Sequence, residues 1–321
     1  LALYRATGDK EYLDFAMKGA DNYIKTRIDS PQSDFKDPEG GNMIFWPSVA
    51  PRFAPLLELY QVTGEKRYLT AAHTAARRFT QFVWMSPSIP DRNILVNKGG
   101  VAPKYWYLAR YPQMKIPEET APAWRLSSIG LTSESTSGCA GHRGIFMANY
   151  APWLIRIGHL TKDPFLGEVG RSAIVGRYRN FPGYHINTAR TTAYEKADYP
   201  LRKHNELSVN SFHYNHIWPM MSMVLDYLVS EAAARSDGAI GFPSEFIEGY
   251  GYMQGKFYGA GKGRFYDAGD ARLWMPRRLL EIDNVEVNYI SARGEKALYL
   301  AFMNESDKAV RAKVSLNEKL V

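Results

Sequence analysis

The chain predicts a mainly helical fold, an α/α toroid built as an incomplete barrel of helical hairpins, followed by an antiparallel β-sheet or sandwich module. Three observations carry this expectation. A helix–turn–helix motif repeats through the first half, stretches of helical periodicity follow its copies, and the C-terminal end alternates as short strands.

The repeat is Leu3-Tyr4-Arg5-Ala6-Thr7-Gly8-Asp9-Lys10-Glu11-Tyr12-Leu13, which recurs 56 residues on as Leu59-Tyr60-Gln61-Val62-Thr63-Gly64-Glu65-Lys66-Arg67-Tyr68-Leu69. In each copy the Gly ends one helix, because it enters the left-handed region without strain, and the acid opens the next. A looser copy, Leu160-Thr161-Lys162-Asp163-Pro164-Phe165-Leu166, puts Phe165 at the aromatic position and Pro164 in a first helical turn. After the first two turns, Ala16, Ala20 and Tyr23, then Ala72, Ala75, Ala76 and Phe79, form helical faces with small residues for close packing. Hairpins repeated this way bury their apolar faces only by stacking on neighbours, as a solenoid or, closed on itself, a toroid.

Residues 1–236 are therefore expected to be the toroid. Its last helix carries Met220, Met223, Val224, Tyr227 and Leu228 at helical spacing, with Pro219 tolerated in the first turn. From Asp237-Gly238 onward glycine becomes dense and interleaves with Tyr250, Tyr252, Phe257, Tyr258, Phe265 and Tyr266, so 237–279 is expected to be a connecting segment that crosses back over a cleft. Residues 280–321 begin the β module, with strands at Val285–Ile290, Leu298–Phe302 and Val310–Val314. Three strands are few for a sandwich, and the chain opens on Leu1-Ala2-Leu3-Tyr4 inside a helix, so a fragment or processed chain is expected.

Composition narrows the function classes. With 321 residues, 45% hydrophobic and 23% charged, the chain can bury a sizeable core. It has no run of eighteen apolar residues to insert in a membrane. The lone Cys139 excludes an intramolecular disulfide framework and a cysteine zinc cluster, and reads as packing rather than a nucleophile. The net charge of +7 favours a polyanionic partner. Scattered basic residues and the lack of a recognition motif argue against nucleic acid.

The densest chemistry lies at Asn205-Glu206-Leu207-Ser208-Val209-Asn210-Ser211-Phe212-His213-Tyr214-Asn215-His216, just ahead of an amphipathic helix. A helical conformation puts Asn210, His213 and Tyr214 on one face, and an extended one groups Asn210, Phe212, Tyr214 and His216. A buried polar network under a loop is the bland alternative. A second polar loop, residues 132–150, delivers His142 and Arg143 to the start of another apolar helix. There His142 could act as base or neutraliser and Arg143 could grip a carboxylate, or could brace helix ends. Two long Pro-rich stretches, 31–55 and 86–125, carry Trp46, Tyr105, Trp106 and Trp124. These rings suit stacking on sugars, or simply pin the loops. With Tyr250, Tyr252 and His216 they make up the candidate substrate-binding set.

A helical-hairpin toroid with aromatic loops, Asn210-Ser211-Phe212-His213-Tyr214, His142-Arg143 and a following β module resembles the α/α-toroid polysaccharide lyases. These include the chondroitin, hyaluronan, alginate, heparin and some ulvan lyases. The resemblance implies β-elimination on a uronate-containing acidic polysaccharide, with no metal or organic cofactor, in the periplasm or outside the cell. By that resemblance Asn210 and Arg143 neutralise the uronate carboxylate, His213 takes the C5 proton and Tyr214 protonates the leaving oxygen, with His142 and His216 as second choices for the base. The rival on the same scaffold is a glycoside hydrolase like the unsaturated glucuronyl hydrolases. It needs two carboxyls roughly 5–9.5 Å apart, with Glu134, Glu206, Asp237, Glu245 and Glu248 as candidates. Glu245 and Glu248 share a face if helical. A non-catalytic glycan-binding protein is the third possibility.

Overall fold

In the computed structural model, residues 1–30, 52–80, 92–96, 118–122, 147–180, 218–248, 254–284 and 286–321 are described. The chain divides into two compact units, residues 1–220 with 250–252, and residues 221–249 with 253–321.

In the first unit the repeated motif folds as its chemistry dictates. Helix α1 (Ala2–Thr7) ends at Gly8, whose φ of 73° is left-handed, and its N–H returns to the Tyr4 carbonyl. Asp9 then caps α2 (Lys10–Tyr23), its carboxylate accepting the Glu11 N–H at 2.9 Å. A π-helical turn (Ile24–Ile28) extends α2. The second copy joins α3 (Phe53–Thr63) to α4 (Lys66–Thr80) through Gly64 at φ 72°. The third joins α5 (Met147–Thr161) to α6 (Pro164–Asn180), with Lys162 holding the left-handed position at φ 57°. The threonine before each turn closes its helix. Thr7, Thr63 and Thr161 donate to the carbonyls of Leu3, Leu59 and Ile157 at 2.7, 2.8 and 2.7 Å.

Packing then uses the faces the periodicity marks. Tyr68, Ala72, Ala75, Ala76 and Phe79 of α4 are buried against α3 and α5, and the rings of Phe53, Phe79 and Tyr150 meet pairwise at 5.4–5.5 Å. α5 and α6 approach at glycine. A Cβ on Gly158 would lie 2.7 Å from the Asp163 carbonyl, and one on Gly170 2.8 Å from that of Ala151. The hairpin β1 (Asn93–Val96) with β2 (Glu119–Pro122) is antiparallel.

The second unit is a five-stranded antiparallel sheet with one helix on its inner face. Helix α7 (Trp218–Arg235) precedes β3 (Ile240–Gly241), β4 (Ser244–Glu248), β5 (Gln254–Tyr258), β6 (Lys262–Phe265), β7 (Ala268–Leu273), β8 (Leu280–Ile282), β9 (Val287–Arg293), β10 (Leu298–Asn304) and β11 (Val314–Leu316). The sheet order is β10-β9-β7-β6-β3, with β4–β5 and β8–β11 as separate pairs. Val229 and Ala232 of α7 pack with Ile240, Phe265, Ala271, Ile290, Ala292 and Met303. Asp226, fully buried, ties α7 to β5 by accepting the Tyr258 hydroxyl at 2.8 Å and the Lys256 N–H at 3.0 Å. Glu305 accepts the Tyr227 hydroxyl at 2.9 Å and the Asn288 side-chain amide.

This architecture corrects the toroid expectation. The described residues are 50% helical, in seven short helices beside a five-stranded antiparallel sheet and smaller ones, and they show no toroid. The periodic face of residues 220–228 is real, since Met223 and Tyr227 are buried, but Val229 and Ala232 of the same helix serve the sheet rather than another hairpin. The unit boundary falls within α7, at Met220/Met221, not at 236. Residues 237–279, expected to be a connecting segment, contain β3 through β7, because cross-strand hydrogen bonds satisfy a Gly-rich backbone whose sequence shows little alternation. The expected third strand, Val310–Val314, shifts to Val314–Leu316.

The glycine contacts set up a matched pair. Gly170→Ala should lower stability by about 1–3 kcal/mol, because the added methyl meets a backbone carbonyl that has no rotamer to escape into. Gly167→Ala, in the same helix and with nothing within 4 Å, should stabilise by up to about 1 kcal/mol. Thermal unfolding of the two variants checks both signs.

Candidate functional site

Every residue singled out for catalysis lies outside the described residues: His142, Arg143, Asn210, His213 and Tyr214. So do the proposed substrate contacts Trp46, Tyr105, Trp106, Trp124, His216, Tyr250 and Tyr252. What is described is the helix following each group. α5 begins at Met147, four residues after Arg143, and α7 begins at Trp218, two after His216. Of the alternative carboxylates, Glu134 and Glu206 also lie outside. Glu245 and Glu248 fall in β4, where a separation of three does not share a face as it would in a helix. Asp237 sits in the turn after α7 at φ 51°.

Two polar arrangements stand in the described residues. The first is the third joint. Asp163, 6% exposed, occupies the acid position of the repeat and accepts from Arg77 Nε at 2.5 Å, Arg77 Nη2 at 2.7 Å and His73 Nε2 at 2.7 Å. Burial pushes its carboxyl up, but hydrogen bonds from Arg77 and His73 outweigh that and hold it below the usual carboxylate range. The bidentate guanidinium also lies 4.8 Å from the Phe165 ring. The second joint has a looser version, in which Arg67 bridges Glu65 at 2.7 Å and Asp21 at 3.1 Å. Tyr68 donates to Asp21 at 3.2 Å, and burial together with the Asp21 carboxylate pushes its hydroxyl up to about 12. These groups join α2 to α4 and α4 to the α5–α6 turn. His73 has a partner suited to a base, but that partner is itself neutralised by Arg77, so the cluster is a structural tether.

The second arrangement is an open hollow of about 530 Å³ in the sheet unit, between Phe242-Pro243 and the β6–β7 hairpin. Lys262, Arg264, Tyr266 and Asp267 line it. Tyr266 is 58% exposed and holds a left-handed φ of 51°. Cations beside an exposed ring can hold an anionic sugar, yet no acid–base pair withdrawn from water stands there. Among the described residues no group of His, Cys, Asp or Glu is placed to hold a metal ion, and no helix is long and apolar enough to cross a membrane. His73 and Arg77 were not singled out from the sequence; only the repeat offset, which aligns Arg77 with Asp21, signals that this position reaches the next joint.

No family model, curated protein or solved structure matches the chain.

The Asp163 tether has a defined pH signature. Its folded pKa is depressed, so its stabilisation is complete above the unfolded value of ~3.9 and fades as pH falls through the lower folded value. Asp163→Asn should therefore cost roughly 1.5–3 kcal/mol at neutral pH. Chemical denaturation at stepped pH should show the gap between wild type and variant closing in acid.

Proposed function

We propose that the protein is a polysaccharide lyase that cleaves a uronate-containing acidic polysaccharide by β-elimination, outside the cell or in the periplasm. The observation that carries this is the run Asn210-Ser211-Phe212-His213-Tyr214-Asn215-His216, with His142-Arg143 in support. The proposal stands on the chemistry of these residues and needs no helical barrel.

The reaction needs three capacities. Amide and guanidinium donors, Asn210 and Arg143, draw charge onto the uronate carboxylate and so make the C5 proton acidic. A base, His213, removes that proton. A phenol, Tyr214, then returns one to the glycosidic oxygen leaving C4, so that a C4–C5 double bond replaces the C4–O bond. All three steps are proton transfers or charge stabilisation, which these side chains perform unaided. The net charge of +7 suits a polyanionic substrate.

The test follows the ultraviolet absorbance of the C4–C5 double bond during incubation with a panel of uronate polysaccharides. Appearance of the chromophore supports elimination. Its disappearance from unsaturated oligosaccharides means a glucuronyl hydrolase instead, and no change in either assay leaves a binding protein. Tyr214→Phe should slow turnover by roughly 10²–10⁴-fold with little change in substrate affinity, because the hydroxyl acts mainly in the transition state. Asn210→Ala should also lower kcat. Full activity in both variants removes the cluster from the chemistry.

A further inference from the structure

The register of the five-stranded sheet brings together three cations that are distant in sequence. Lys262 on β6 is the direct partner of Arg272 on β7, and Arg272 is the direct partner of Arg293 on β9. Direct partners share a face. The next pairs along, Gly263 with Ala271 and Leu273 with Ala292, belong to the opposite face, where Ala271 and Ala292 are fully buried under α7. The three cations thus form a row on the face away from α7, all of them exposed, although Ser291 further along that face is buried. The row spans two strand spacings, on the order of 10 Å.

Such a row is costly in the free protein, since like charges directly opposite one another destabilise a sheet. Its internal compensation is thin. Lys262 lies 3.4 Å from Glu295, with both side chains well exposed, and Arg272 has no ion pair among the described residues. The Arg293 guanidinium lies 5.3 Å from the Trp274 ring. Beyond Lys262 the face continues into the hollow with Arg264 and the exposed Tyr266. Asp267 lies in the β6–β7 turn and Glu295 in the β9–β10 turn, while Asp270, on β7 two residues before Arg272, shares the face of the row at its edge and accepts the Glu295 N–H at 2.8 Å.

We propose that this exposed row is a docking surface for an acidic polysaccharide, which lies along Lys262, Arg272 and Arg293. The ligand class rests on the proposed substrate, and the β-elimination chemistry is not needed for it. Charge spacing favours a glycan over nucleic acid. A polymer with one carboxylate or sulfate per sugar or disaccharide can set its anions on the row and pass the flanking acids with neutral ring surface. A duplex carrying a charge every ~1.7 Å would press phosphates against Asp267, Asp270 and Glu295. The arginines add paired N–H donors that match carboxylate and sulfate oxygens.

The experiment compares the full chain with a Lys262→Gln/Arg272→Gln/Arg293→Gln variant, and with Arg272→Gln alone should the triple variant fail to fold. Affinity electrophoresis measures binding to chondroitin sulfate, alginate and polygalacturonate, with dextran and a DNA duplex as controls. Wild type should bind at least one acidic polysaccharide, more weakly as ionic strength rises from ~0.01 M to ~0.15 M and the screening length shrinks from ~30 to ~8 Å. The triple variant should lose roughly tenfold or more in affinity, and the single variant a few-fold. Thermal unfolding of the variants should match or exceed wild type, because the like-charge row has been relieved. Wild type that binds no acidic polysaccharide, variants with unchanged affinity, or tighter binding of the duplex than of every acidic polysaccharide would each overturn the proposal. Affinity lost in the variants when wild type releases no unsaturated product upholds the docking surface and removes the lyase chemistry alone.

Discussion

A buried carboxylate without partners would be untenable in the packed helical unit, and the way Asp163 is satisfied governs how the hairpins meet. Its two oxygens take the fork of Arg77 and the ring nitrogen of His73, both on α4, so the turn between α5 and α6 is drawn onto the middle of that helix. A planar guanidinium that must present two donors to one carboxylate leaves little freedom to slide. The Phe53, Phe79 and Tyr150 rings then pack in the space this register leaves. The sheet unit solves a similar problem with Asp226, which holds α7 to β5 through a phenol and a backbone N–H. In each unit a buried acid joins two elements through directional hydrogen bonds, which apolar contact does not supply.

The same equivalent position carries opposite charges in successive repeats. Asp21 and Arg77 are 56 residues apart, and each reaches forward to the next joint. At Asp21 the joint acid, Glu65, has the same sign, so Arg67 stands between them. At Arg77 the joint acid is Asp163 and the pair forms directly. Repetition therefore preserves the geometry of the contact while the charges are re-paired locally. The direct pair excludes more water, and its carboxylate is 6% exposed where Glu65 and Asp21 keep 40% and 42% of their side-chain surface.

Two kinds of residue serve the proposed function. The proposed acid–base and neutralising groups, His213, Tyr214, Asn210 and Arg143, come from polar stretches ahead of α5 and α7. The basic row comes from the sheet, chosen by register alone. Both suit the proposed anionic substrate, as does the net charge of +7.

What the sequence determined by itself is local. Thr-Gly-Asp and Thr-Gly-Glu encode a helix end, a left-handed turn and a helix start within three residues, and each hydrogen bond that closes them is made inside the motif or one turn away. The β9–β10 hairpin was equally legible, because strand residues flank the turn at Gly294. Tertiary structure decided which surface covers α7, that the Gly-rich segment after it becomes strands, and that Lys262, Arg272 and Arg293 stand in line. A helical period shows which side chains need cover but not what supplies it. Strand register depends on partners tens of residues away, whose hydrogen bonds and side-chain burial are settled together.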